Sequence, residues 1–215
     1  MIALVRYLLA DVLRGQRFLA PLLVYLAVLG MLYSGDAGAS LPAYAGSCAL
    51  LFPVAAWFAV VFASAEDPVQ RAVTVVAAGG WGRVLTAVAS LTAVVVAALA
   101  LLATLWPVLT NPHPYTASDI AIGFAAHLVC GLNGAGAGLL LARPVIVRIG
   151  YTVLWVTAVV VVTFTAGRPT PVGVVLGALA DQRVPIGALV FSAACALVLL
   201  AAAVAVGRRV APRRG

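Results

Sequence analysis

Residues 65–83 read AEDPVQRAVTVVAAGGWGR, the one long polar interruption between apolar runs that falls on the arginine-rich side of the chain. Pro68 can open a helix here, because its missing N–H would be unpaired in a first turn anyway. The spacing predicts a short helix over 68–78, ended by Gly79 and Gly80. Val69, Val73, Val76 and Ala77 fall on one face, and Gln70, Arg71 and Thr74 on the other, as an amphipathic segment requires. Between two long apolar runs, such a helix lies flat at a membrane surface. It either anchors to that surface or docks into a partner.

Composition sets the solvent. The chain has 215 residues, of which 65% are hydrophobic and 9% charged, with a mean hydropathy of +1.16. That is the balance of a chain dissolved in a bilayer rather than in water. Apolar runs at 18–33, 41–65, 84–109, 120–142, 149–166 and 186–206 predict six crossings at about 20 residues each. Pro21, Pro53 and Pro107 are expected to kink or bound their helices. The fold class is thus all-α, a single polytopic membrane domain of six transmembrane helices with both ends on one side.

All 13 basic residues are arginine, against six acids, two histidines and no lysine. Walker-type nucleotide binding and Schiff-base chemistry both need a lysine, so this chain does not hydrolyse ATP by such a site. Eleven of the arginines (Arg6, Arg14, Arg17, Arg71, Arg83, Arg143, Arg148, Arg208, Arg209, Arg213 and Arg214) fall on one side, and Arg168 and Arg183 on the other. This asymmetry explains the net charge of +7 by topology rather than by nucleic acid, and puts both termini in the cytoplasm.

At the start of the chain, Arg6, Ala10, Asp11, Arg14 and Arg17 share a helical face, with Ile2, Val5, Leu9 and Val12 opposite. Residues 1–17 are read as an interfacial helix. The charged leader is too long and too amphipathic for a signal peptide, so no cleavage is expected. On the outer side, residues 172–180 make an apolar piece of nine residues, which at about 14 Å cannot span. It dips into the outer leaflet and returns, or packs on the bundle as an apolar loop.

Few residues could carry chemistry. Cys48, Cys130 and Cys195 lie inside apolar runs without metal-ligand spacing, and read as small buried hydrophobes. In the fourth run, His127, Gly131, Gly134 and Gly138 share a face, and close helix packing is the preferred reading of the glycines. His127 and Asn133 are the most polar side chains inside any run; each hydrogen-bonds between helices or lines a pathway. No HExxH motif, no GxSxG motif with a plausible partner and no paired intramembrane carboxylates occur, so catalysis and metal binding by this chain are not expected.

Taken together, the chain resembles, over its whole length, the membrane subunit of the type-2, exporter-like class of ABC transporters. Members have an interfacial elbow helix before six spans, which 1–17 resembles, and a cytoplasmic coupling helix between the second and third. That coupling segment commonly opens with a glutamate, runs through an apolar stretch, turns on small residues and restarts with a basic one. Glu66, the run 73–78, Gly79-Gly80 and Arg83 are similar, although the usual proline of the turn is absent and Asp67-Pro68 is atypical. A partly re-entrant segment before the last span is also a trait, and 172–180 is similar.

The resemblance implies a permease that pairs with a second copy or a homologue and with two copies of a separate ABC ATPase. Glu66, Asp67, Gln70, Arg71 and Thr74 would be its coupling residues. It implies no cofactor on this chain, with ATP and Mg on the ATPase. Alanine, valine, glycine and arginine bias points to a high-GC bacterial genome, hence a bacterial cytoplasmic membrane, where such permeases export hydrophobic or amphipathic antibiotics, peptides or lipids. A scaffold or immunity-type membrane protein, and a secondary carrier, remain as alternatives.

Overall fold

The computed structural model describes residues 1–213; Arg214, one of the arginines assigned to the cytoplasmic side, lies outside them. Among the described residues the structure is helical throughout: α1 (Ile2–Gly15), α2 (Leu19–Leu32), α3 (Ser40–Ala63), α4 (Pro68–Ala78), α5 (Trp81–Thr110), α6 (Ala117–Leu141), α7 (Ile149–Ala166), α8 (Pro171–Ala180) and α9 (Ile186–Val210), with a closing 3-10 turn. Five of these, α3, α5, α6, α7 and α9, are long and apolar enough to cross a membrane.

The first apolar run departs from expectation. Helix α2 has 14 residues, a rise of about 21 Å against the roughly 30 Å of a hydrocarbon core. A sixth crossing requires α1 and α2 together, across a bend of 78°. The bend follows Gln16, which takes a left-handed conformation at φ 53° and stops α1. Arg17 is therefore turned off the α1 face assigned to it, and its Nη1 donates to the Ser64 carbonyl at 3.2 Å. The buried face of α1 is also shifted: Leu8 and Val12 enter the core beside Val88 and Leu91 of α5, while Leu9 stays exposed.

At the centre α3 packs along α6, and the glycines of α6 explain how closely. A Cβ on Gly134 would collide with the Phe52 carbonyl, and one on Gly138 with the Ala56 carbonyl. Gly131 sits against Val96 of α5 and Leu51 of α3. Bare backbone at these positions lets two helices meet main chain to main chain, the arrangement small residues permit in apolar bundles. Pro53 and Pro107 are carried inside α3 and α5, and α5 continues to Thr110 past the predicted end. Cys48 of α3 and Cys130 of α6 are both fully buried in this core.

Residues 172–180 form most of α8, whose first turn is capped by Thr170 Oγ1 accepting from the Gly173 amide at 3.0 Å. Val172, Val175 and Leu179 are buried with Tyr44, Cys48 and Phe52 of α3. Pro171 and Val172 share a cavity with Phe52, midway along α3, so the helix starts at mid-bundle depth and packs on its neighbours. Arg168 and Asp181, 3.1 Å apart, tie its two ends together. Helix α7 contrasts with all of these, because Thr152 is its one buried residue.

Candidate functional site

The stretch 65–83 builds a self-contained joint at the arginine-rich end. Asp67 Oδ1 accepts from the Gln70 amide at 2.8 Å and caps α4, with Pro68 in the first turn. At the other end Gly79, at φ 79°, lets the Gly80 amide reach back to the Val75 carbonyl at 2.9 Å, an ending that needs a residue free to go left-handed. Arg83 Nη1 donates to the Ala78 carbonyl at 3.0 Å and closes the turn into α5.

The sequence reading left open which face of α4 looks inward, and the structure turns the polar one to the bundle. The coupling residues were placed on the polar face, yet Arg71 and Thr74 are 8% and 7% exposed and Glu66 only 2%. Val69, Val73 and Val76 stand outward at 75%, 65% and 82% exposure. The reason is satisfaction of the chain break. The end of α3 leaves carbonyls open, and Arg71 Nη2 donates to that of Ala63 at 2.6 Å. Thr74 Oγ1 donates to Glu66 Oε1 at 2.6 Å, and Glu66 Oε2 lies 3.6 Å from Arg71 Nε. Gln70 Nε2 donates to Tyr7 of α1 at 2.9 Å and to Asp11 at 3.3 Å. Glu66, Arg71 and Thr74 thus bolt α4 to the end of α3, Gln70 ties it to α1, and Asp67 starts it.

Burial lowers the pKa of the Arg71 guanidinium, and the Glu66 carboxylate opposes that shift. Breaking such a pair is costly because the survivor remains buried and charged. Arg71→Leu is expected to lower stability by about 3 kcal/mol, and the double change Glu66→Gln with Arg71→Met by much less. Thermal unfolding of the purified variants in detergent checks the order.

Beside the outward valines, α1 and α4 enclose a recess of about 690 Å³ lined by Leu4, Tyr7, Val73, Ala77 and Arg83 among others. An apolar face of this kind beside an aromatic and an arginine is what a docking surface needs.

The intramembrane candidates fall elsewhere. His127 is fully buried. Its Nδ1 lies 2.7 Å from the Gly123 carbonyl, which can only accept, so the proton is assigned to Nδ1. Nε2 then accepts from Ser47 Oγ at 2.8 Å, and Thr104 Oγ1 stands 3.2 Å from Nδ1. Tyr33 OH is 2.9 Å from Ser47 Oγ, so one network joins α2, α3, α5 and α6. His127→Ala should reduce stability by about 2 kcal/mol through the unpaired Ser47 and the void, which thermal unfolding of the purified variant in detergent reads.

Asn133 Nδ2 donates to the carbonyls of Val129 and Ser192 at 2.8 and 2.9 Å, bridging α6 to α9. Its Oδ1 has no partner, and the side chain borders a cavity of about 190 Å³ with Thr163 and Leu199. Gly131, Gly134 and Gly138 face α3 and α5 as described above. Among the described residues no group of three metal-ligating side chains occurs. Ser47, Thr104 and Ser192 were not named from the sequence, and Val69, Val73 and Val76 were named only as the apolar face of a helix. Only the valine periodicity carried a signal, and it does not say which face the bundle takes.

Comparison with known proteins gives no matching family model, no matching curated protein and no matching solved structure. What the fold defines is a class: an all-helical chain whose five or six long apolar helices are those of a multi-pass membrane protein.

Proposed function

We propose that this chain is the membrane subunit of an ATP-driven exporter of the type-2 ABC class, taking its energy from a separate ATPase that docks on α4. The observation that carries the reading is the orientation of α4: a short capped helix, fastened through its polar face, that holds three valines outward at the arginine-rich end. A helix meant only to fill the bundle would bury those valines. In this reading α1 carries the elbow, α1 and α2 together make the first of six crossings, and both termini lie in the cytoplasm of a bacterium. Two copies, or one copy and a homologue, form the permease.

Motion has a route through named contacts. The ATPase carries ATP and Mg. When it closes, it would push α4, and the Arg71 to Ala63 and Gln70 to Tyr7 bonds would pass that push to α3 and α1. Rocking of these helices between inward- and outward-facing arrangements then moves a hydrophobic or amphipathic cargo. Against a proton-driven carrier stands the enclosure of His127 by fixed partners. A non-transporting scaffold would tolerate loss of the α4 face.

The test is gentle purification of the tagged chain from its native membrane, with mass spectrometry of co-eluting proteins and an ATPase assay. A stoichiometric ATPase is expected. Recovery of the intact chain alone, under conditions that preserve known transporter complexes, contradicts the reading.

A further inference from the structure

Helix α7 leaves the bundle partly open. Between it and α3 runs a groove of about 680 Å³. Pro53, Trp57, Val60 and Val61 line it from α3, and Val153, Val156 and Val160 from α7. Each set recurs at helical spacing, so the walls are two continuous apolar faces. From Ile149 to Val160 the groove runs twelve residues, a rise of about 16 Å, close to half of the roughly 30 Å hydrocarbon core. It therefore matches one leaflet, the one nearest the arginines.

The mouth of the groove is positively charged. Arg17 lines it, is exposed and meets no carboxylate within salt-bridge distance, since the ion pairs among the described residues are Arg71–Glu66, His113–Asp36 and Arg168–Asp181. Arg148 flanks the same mouth as the exposed N-cap residue of α7, and no side chain caps that helix. Arg14 borders the adjoining recess with Arg17. The Asp11 carboxylate lies in that recess and accepts from Gln70.

We infer that this groove is a binding site for an anionic phospholipid of the cytoplasmic leaflet, with an acyl chain between α3 and α7 and the phosphate held by Arg17 and Arg148. Charge complementarity selects the occupant. A second copy of this chain pressed on α7 would bring a further arginine cluster to the mouth, whereas a phosphate neutralises it. The inference rests on the bilayer-crossing character of these helices and not on the ATPase, so it stands or falls separately from the exporter reading.

Native mass spectrometry of the full chain, purified in mild detergent and offered phosphatidylglycerol or phosphatidylcholine, tests it. One phosphatidylglycerol should be retained per chain, at least about tenfold better than phosphatidylcholine. Arg17→Glu should lose that preference and Arg17→Lys keep it. Thr157→Trp, which fills the groove from the helix least packed in the bundle, should exclude the lipid without unfolding the chain. Equal retention of both lipids, or equal retention of phosphatidylglycerol by wild type, Arg17→Glu and Thr157→Trp, overturns the site. So does efficient disulfide cross-linking between copies through Val153→Cys with no lipid bound.

Discussion

Val73→Asp combined with Val76→Asp should leave the chain folded and strip from it the ATPase proposed to dock on α4. Both side chains are largely in solvent, at 65% and 82% exposure, so their replacement touches no internal packing. Exposed substitutions of this kind change stability by about 0.5 kcal/mol or less. In the proposed complex with an ATPase the same positions would be buried against the partner, where two unpaired carboxylates oppose association by several kcal/mol. The expected result is therefore a split: an unfolding midpoint within a few degrees of wild type, and at least about a hundredfold less co-purified ATPase, equivalent to some 2.7 kcal/mol. Arg71→Leu should show the opposite pattern, with the fold weakened first and docking lost only as a consequence. An unchanged yield of ATPase from the double aspartate variant would remove α4 as the docking element.

The second large effect belongs to the α3–α6 contact. Gly134→Ala should lower stability by about 3 kcal/mol, and Gly134→Leu should prevent recovery of a monodisperse protein. A Cβ at this position meets the Phe52 carbonyl, which is main chain and cannot swing aside. Relief requires moving α6 off α3, and with it the His127 to Ser47 bond at 2.8 Å. Gly30→Ala and Gly150→Ala are the matched controls. Each lies inside a helix with no atom within 4 Å of an added Cβ, so each should be neutral or stabilising by roughly 0.5–1 kcal/mol through helix propensity. Thermal unfolding of the four variants in one detergent distinguishes steric collision from a general intolerance of glycine replacement.

The joint at residues 65–83 was legible because its ends carry local chemistry. Asp67-Pro68 starts a helix and Gly79-Gly80 ends one whatever surrounds them, and α4 runs from Pro68 to Ala78 as the spacing predicts. Its orientation was not legible. An amphipathic pattern states that two faces differ and leaves open which one the bundle takes. Here the open Ala63 carbonyl and the Glu66 carboxylate drew Arg71 and Thr74 inward, against the usual rule for a helix on a soluble core. The glycines of α6 were readable from spacing alone, since only close packing rewards glycine at Gly134 and Gly138.

Long-range polar contacts were beyond reach in the sequence. His127 announces that it needs partners, but Ser47 lies 80 residues away and looks like any serine in an apolar run. The break after α1 falls between Gly15 and Leu19, where the interfacial helix 1–17 and the apolar run 18–33 were divided. A left-handed residue ends that helix, yet the residue is Gln16 at φ 53° and not the preceding Gly15, so a glycine rule would place the turn one residue early. Helix α2 then begins only at Leu19, and Arg17, within the break, lines the mouth of the α3–α7 groove.

The central claim is that the outward face of α4 receives a separate ATPase. A photo-reactive amino acid placed at Val73 in the chain, activated by light in its native membrane, reads this contact where it forms. One dominant cross-linked protein bearing a Walker-type lysine site is expected, lost in the Val76→Asp background. Cross-links confined to lipid would show α4 to be a membrane anchor and contradict the account.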